Sequence, residues 1–250
     1  MQAHAVYETA AIVAALEHDG CALVTAAIAP QQCSSACAHI DALEPLHWDE
    51  THARNGRHLD RYLNVFNRDP YWLQFLDRPG IIEAAEAVLG SDCHIIGETA
   101  WRSHPGFRGE PLHVDYAPLE RPEGAPRDDV RIPIFLLTVH FYLNDLTADL
   151  APTRVVPGSH RSGRAPRAEA EPVLACAGDA LLFRSDVWHA GSDNRTASDV
   201  RYLLQVHYGR REMAQHFSPY LEWRFDRGVL AAASRRQRRL LGDHEPGAYD

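Results

Sequence analysis

The chain has 250 residues, 45% of them hydrophobic, with a formal net charge of −9 and no lysine among its 25 basic residues. That length supports one well-buried core, so a single domain over residues 1–250 is expected. The acidic balance argues against a nucleic-acid partner, the missing lysine excludes a Schiff base or lysine general base, and the lack of any long apolar run or signal-like N-terminus excludes a membrane span and reads as a soluble, cytoplasmic protein.

Residues 6–18 carry Ala, Ile and Leu at helical spacing and end at Asp19-Gly20, a helix stop. Cys21 to Thr25 reads as a short strand, and Pro30 opens a second helix to about Leu43. The stretch 45–70 is rich in His, Arg and Asn and matches no period. Residues 71–89 read as helical in two pieces, broken at Arg78-Pro79-Gly80. From residue 93 the period changes. Apolar runs at 93–104, 112–116, 131–145, 153–156, 172–176, 180–186 and 200–209 alternate with Pro/Gly turns, which predicts a β-sandwich or barrel. Two polar loops, 119–129 and 160–172, have the length of lids or substrate contacts. Residues 221–241 read as a C-terminal helix, whose run Arg235 to Arg239 is a solvated basic face. Five scattered cysteines without a C-x-x-C pair read as reduced thiols and not as a zinc site.

Chemistry concentrates in the β-rich half. His113-Val114-Asp115 places an imidazole and a carboxylate on the same face of an extended segment, because residues two apart on a strand point the same way. His189, delivered after the strand Gly178 to Arg184, completes two imidazoles and a carboxylate. That is the facial set that holds Fe(II) and leaves the opposite positions open. Arg201 follows on a new strand, where a planar guanidinium suits the carboxylate of an acidic cosubstrate. Arg195, closer to His189, is the competing arginine.

With these residues in order, the chain resembles the phytanoyl-CoA dioxygenase family of Fe(II)/2-oxoglutarate-dependent oxygenases. The resemblance runs from about Gly90 to Tyr208. It rests on His113-x-Asp115 after Pro105-Gly106, on Leu143-Asn144-Asp145, and on Ala151-Pro152-Thr153-Arg154 leading to Pro157-Gly158-Ser159-His160. It rests further on Gly178-Asp179, on His189-x-Gly-x-x-Asn194-x-Thr196 and on Arg201. What the resemblance implies is a mainly β chain with flanking helices: a double-stranded β-helix (jelly roll, cupin-like) core at about 91–210, helices in residues 1–90 and a C-terminal helix at 221–241. It implies Fe(II) held by His113, Asp115 and His189, with 2-oxoglutarate and O2 as cosubstrates. Arg201 would hold the far carboxylate of 2-oxoglutarate, helped by a hydroxyl such as Thr138 or Thr196.

The family's halogenating members generally carry a small residue where Asp115 stands, so oxidation, most simply hydroxylation with release of succinate and CO2, is expected in place of chlorination. Trp101 or Arg102, only one of which can face inward on a strand, His140 and Arg184 are candidate contacts for a small-molecule substrate. His140 reads equally as a core histidine, and Arg184 equally as a surface partner of Asp186. His94 and His104 read as structural, Ser159 and His160 as turn-forming, and Tyr116 as pointing away from the metal unless the strand ends there. No acyl-CoA signature is present. The composition suggests a GC-rich bacterial genome and a tailoring role in secondary metabolism. Two rival readings stand beside this one: a cupin-like metal hydrolase or isomerase using the same triad, and a barrel that binds a ligand without catalysis.

Overall fold

The computed structural model describes residues 1–45, 58–116, 132–161, 166, 169–217 and 221–246. In chain order the elements are β1 (Ala3–Ala5), α1 (Thr9–His18), β2 (Cys21–Thr25), α2 (Pro30–Asp41), β3 (Leu59–Leu63), α3 (Ile81–Leu89), β4 (His94–Ser103), β5 (Leu136–Tyr142), β6 (Thr153–Val155), β7 (Glu171–Pro172), β8 (Ala180–Arg184), β9 (His189–Gly191), β10 (Arg201–Gly209), α4 (Arg227–Ala232) and α5 (Arg235–Leu240). The strands form a seven-stranded sheet in the order β1-β2-β8-β5-β10-β4-β3 and a three-stranded sheet in the order β7-β6-β9. This is the mainly β jelly roll with flanking helices that the resemblance implied.

The two faces of the large sheet do different work. On its outer face Val139 and Phe141 of β5 and Leu204, Val206 and Tyr208 of β10 share one apolar core with Ile12, Leu16, Trp72, Phe75 and Ile81. The helices exist to cover that face. Ile12 and Leu16, four apart on α1, are both fully buried, as the 3.6-residue period requires. α3 begins where the Glu83 carboxylate accepts the Gly80 N–H at 2.5 Å, satisfying a donor that the helix itself cannot use. The Tyr208 hydroxyl then donates to Leu76 O at 2.9 Å, which ties β10 to the helical layer.

The inner face carries the alternate residues. Antiparallel pairing sets Leu203 opposite Tyr142, Gln205 opposite His140 and His207 opposite Thr138, and it sets Leu203 opposite Trp101 and Arg201 opposite Ser103. The polar interior of the roll is therefore one register of β4, β5 and β10.

Several boundaries differ from the sequence reading, each for a physical reason. Residues 112–116 form no strand; His113 makes a single bridge to His189, exchanging N–H···O bonds of 2.9 Å both ways. The C-terminal helix is two helices. Asp226 caps α4 through Gly228 N and Val229 N, Ser234 caps α5 through Gln237 N, and Ala233 is extended between them. The first half of 71–89 is a 3-10 helix, Pro70–Phe75, capped by the Asp69 carboxylate. β1 and β3 were not foreseen. β3 lies in the stretch without a period and is held by its pairing with β4. The loop 119–129 lies outside the described residues, and 160–172 lies only partly within them. All five cysteines are free, and among the described residues no helix is long and apolar enough to cross a membrane.

Gly178 is a point of tight assembly. It has φ +96°, and a Cβ there would meet Ile28 O at 2.2 Å; its N–H donates to Tyr142 O and its carbonyl accepts from Ile28 N. Gly178→Ala is expected to cost about 3 kcal/mol from backbone strain and overlap, read as a lower urea midpoint with unchanged slope.

Candidate active site

His113 and His189 are brought side by side by their mutual backbone bridge, and Asp115 is fixed by its own N–H donating to Ser185 O at 2.9 Å. The ligand-capable atoms of the three residues all lie within 4.8 Å of one another. Asp115 Oδ1 is 3.7 Å from His113 Nε2 and 3.6 Å from His189 Nε2. Each ring is oriented from behind: His113 Nδ1 lies 2.8 Å from Pro111 O and His189 Nδ1 lies 2.9 Å from Val187 O. A carbonyl only accepts, so both Nδ1 atoms carry hydrogen and both Nε2 atoms aim at the same point, where each presents a lone pair once His113 has given up its Nε2 proton. Two neutral nitrogens and one carboxylate, each locked by an outer partner, fit a divalent first-row metal.

The metal-free electrostatics follow from this crowding. The Asp115 hydrogen bond pushes the His113 imidazole up to about 9. Burial favours a neutral Asp115 carboxyl, but the His113 hydrogen bond, with the nearby His189, His207 and His113 rings adding to it, outweighs burial and holds the group well below the carboxylate range. Burial lowers His189. The Thr138 hydroxyl reaches Asp115 Oδ2 at 3.4 Å and His207 Nδ1 at 3.0 Å. Because the carboxylate is the better acceptor, Thr138 donates to it and accepts from the Nδ1–H of His207. Burial pushes His207 down to about 4, so it is neutral at pH 7.

The three residues open into a cavity of about 600 Å³, whose wall includes Trp101, Glu110, His140, Thr153, Arg201 and Gln205. A volume of this size is ample for a small ligand. A hydrogen-bond chain runs along its wall: Trp101 Nε1 to Gln205 Oε1 at 3.0 Å, Gln205 Nε2 to His140 Nε2 at 3.0 Å, and His140 Nδ1 to Thr153 Oγ1 at 3.2 Å. Indole only donates, so the amide must donate onward and His140 must carry its hydrogen on Nδ1. Thr153 accepts that bond and keeps its own hydrogen for another partner. Burial holds His140 well below its ordinary value, which preserves the lone pair the chain requires.

Arg201 ends the same wall. It is 5% exposed, donates from Nη1 to Ala151 O at 2.7 Å, and its Nε has no hydrogen-bond partner, as the neighbouring buried Tyr142 hydroxyl has none. Burial pushes the Tyr142 phenol up to about 12, so it remains a donor. The Arg201 Nε–H and the Tyr142 hydroxyl are thus unspent donors in one place, with the Thr153 hydroxyl beside them, which fits a carboxylate.

The sequence-named residues separate accordingly. His113, Asp115, His189, Arg201, Trp101 and His140 come together on one cavity. Thr138 faces the cavity interior but at the Asp115 end, and Thr196 is turned into a loop where its hydroxyl meets Asn194 Oδ1 at 2.7 Å; neither is beside Arg201, where Thr153 and Tyr142 stand instead. Arg102 points to the other face and pairs with Asp41 and Asp60 at 2.8 Å each. Arg184 is buried and grips Asp186 through Nε and Nη2 at 2.8 Å. Arg195 pairs with Asp149 on the surface. His104 binds Asp60 and His94 binds Met213 O. Tyr116 lines the cavity because no strand continues through it. Gln205 and His207 went unnamed, although stepping by two from Arg201 reaches both. Glu110 and Arg61 gave no periodic signal.

Residues 16–202 match the family described as Phytanoyl-CoA dioxygenase (PhyH). Among curated proteins, the chain is 26% identical over 171 residues to "Dioxygenase andF" of Emericella variicolor, covering 61% of this chain and 59% of that protein. It is 27% identical over 162 residues to "Dioxygenase af480" of Aspergillus fumigatus, covering 62% of this chain and 48% of that protein. The chain thus spans about half to three fifths of these relatives' lengths. Among solved structures it is similar to HygX from Streptomyces hygroscopicus with nickel and 2-oxoglutarate bound, with TM-score 0.66, 15% identity, and coverage of 82% of this chain and 88% of that one. It is also similar to the non-heme alpha ketoglutarate dependent carbocyclase SnoK from nogalamycin biosynthesis, with TM-score 0.64, 16% identity and 94% of each chain covered.

A buried guanidinium without a carboxylate partner opposes folding. Arg201→Met is expected to stabilise the ligand-free protein by about 1 kcal/mol after loss of the Ala151 bond, a rise of roughly 2–4 °C in Tm. A fall in Tm in differential scanning calorimetry would assign Arg201 to the scaffold.

Proposed function

The chain belongs to the phytanoyl-CoA dioxygenase family, and from that premise we propose that it is an Fe(II)- and 2-oxoglutarate-dependent oxygenase that hydroxylates an unactivated C–H bond of a small molecule. The observation that carries this reading is one cavity with two unlike demands: a point where two Nε2 lone pairs and a carboxylate converge, and a buried group of unspent donors around Arg201. A hydrolase or isomerase using the triad alone has no use for the second.

His113, Asp115 and His189 would hold Fe(II) on one face. Bound there, the iron supplies the redox chemistry by which O2 oxidises 2-oxoglutarate to succinate and CO2 and the substrate to its alcohol. The protein's part is positional. The Pro111 and Val187 carbonyls stop the two rings from rotating, and Thr138 keeps Asp115 Oδ2 occupied so that Oδ1 faces the rings. Arg201, Thr153 and Tyr142 would receive the far carboxylate of 2-oxoglutarate. The Phe183 ring, 4.6 Å from that of His189, shields the inner side from water. A carboxylate at position 115 supports hydroxylation over chlorination, because it fills the position a halide would take. A carbocyclase from nogalamycin biosynthesis shares the scaffold at 16% identity; a tailoring role in secondary metabolism is part of the reading proposed here and rests on composition.

Anaerobic addition of Fe(II) and 2-oxoglutarate is expected to give a weak visible charge-transfer band that Arg201→Ala loses at limiting 2-oxoglutarate. Folded, iron-loaded protein with no band would remove the proposal. A second expectation concerns protons. His113, with its pKa pushed up to about 9 by Asp115, is protonated at pH 7 without metal. Mn(II) binding should therefore release about one proton at pH 7, and affinity should climb as pH rises toward 9. Calorimetric titration in buffers of different ionisation enthalpy reads this directly; equal heats in all buffers would contradict it.

A further inference from the structure

The cavity continues past the triad on the side away from Arg201. Arg201 and His207 are the two ends of the inward-facing row of β10, separated by roughly 20 Å of extended chain, and Thr138 ties the His207 end to Asp115. The wall toward this end includes His207 of β10, His216, Met213 and Tyr116, and the side chain of Arg61, which springs from β3 opposite Trp101.

This end is built, not incidental. The segment after β10 folds back over β4, where His216 N donates to Ile96 O at 2.8 Å and the buried Gln215 side chain donates to Ile95 O at 3.0 Å. Position 97, opposite His207, is glycine, and a Cβ there would stand 3.9 Å from His216 Nδ1. The missing side chain leaves room beside the His216 ring. Arg61 lies over the Trp101 ring with its guanidinium carbon 4.9 Å from the centroid, which fixes the arm and directs it along the wall.

His216 is lowered by burial and by Arg61. His207 is lowered by burial, with His216, His189 and Arg61 adding to the effect and Asp115 opposing it. Asp115 is the acid that opposes burial at His207. A guanidinium held on the cavity wall by an aromatic ring, beside two neutral imidazoles, presents a fork of N–H donors that suits a carboxylate or phosphate.

We propose that Arg61 and His216 form the subsite for an anionic group, a carboxylate or a phosphate, on the main substrate, with His207 Nε2 as an acceptor for a neighbouring hydroxyl or N–H. This rests on the assignment of the Arg201 end to 2-oxoglutarate, and it narrows the substrate class to small acids or phosphate esters.

The test uses the full chain loaded with Fe(II) and 2-oxoglutarate without oxygen, at low ionic strength, titrated calorimetrically with inorganic phosphate and separately with benzoate. At least one anion is expected to bind, and Arg61→Gln and His216→Gln are each expected to weaken it about ten-fold or more, while 2-oxoglutarate affinity, read from the charge-transfer band, changes less than about two-fold. Binding of phosphate alone assigns a phosphate ester and of benzoate alone a carboxylic acid. If neither binds, or binding survives both substitutions, the proposal falls. Loss of the charge-transfer band in Arg61→Gln also overturns it, by giving Arg61 to the cosubstrate. A wild-type protein with no band at all condemns the oxygenase assignment instead, a separate failure. His216 lies at the exposed rim, so His216→Gln keeps the test valid where Arg61→Gln fails to fold.

Discussion

The pleat shared by β5 and β10 is the constraint on which the site depends. Successive residues of a strand face opposite sides, so burying Leu204, Val206 and Tyr208 against the helices turns Arg201, Leu203, Gln205 and His207 into the roll. A slip of one residue would exchange the two sets and place an arginine, an amide and an imidazole under the helices. The apolar face therefore does the selecting. The irregularity in the β10–β4 register comes only between His207 and Tyr208, after the last inward group has been placed.

Inside, order is set by the direction of hydrogen bonds. One chain runs from the Trp101 indole through Gln205 and His140 to Thr153; another runs from His207 through Thr138 to Asp115. Each delivers donors toward a place where negative charge sits or is to be bound. Each includes an imidazole that burial keeps neutral, and the first chain requires it. A protonated His140 would have no lone pair for Gln205, and the polarity of the first chain would fail at its middle. Low polarity around these rings is thus part of how the polar groups are aimed.

What the sequence disclosed follows from what each signal encodes. His113 and Asp115 are two apart, and His189 follows a readable strand, so their meeting depends on local geometry and one bridge. Arg201 was legible because it opens a strand. Alternation allowed only one of Trp101 and Arg102 to face inward but could not say which; the pairing of Arg201 with Ser103 decides for Trp101. Thr138 shows the limit of facing alone, since it has the right face but the wrong level, three inward positions from Arg201. Thr153 sat in a quoted motif, yet only its pairing with Gly191 across the small sheet brings it to the cavity. Arg61 lies in a stretch with no period, and His216 follows the last strand, so their convergence is wholly tertiary.

The unspent donors around Arg201 also bear on why the fold is layered as it is. A buried donor without a partner costs about 1–3 kcal/mol, and Arg201 Nε and the Tyr142 hydroxyl are both of this kind. A protein stable by only about 5–15 kcal/mol tolerates them when the deficit is offset elsewhere. Here the offset lies on the opposite face of the same strands, where Phe141 beside Tyr142, and Leu204 three residues from Arg201, are fully buried. Strand pairing couples the two faces rigidly, so the apolar layer that stabilises the sheet also holds the donors in place against their own tendency to find water. The site is preorganised for a carboxylate because the side chains that would otherwise relax it are bound to a core that does not yield.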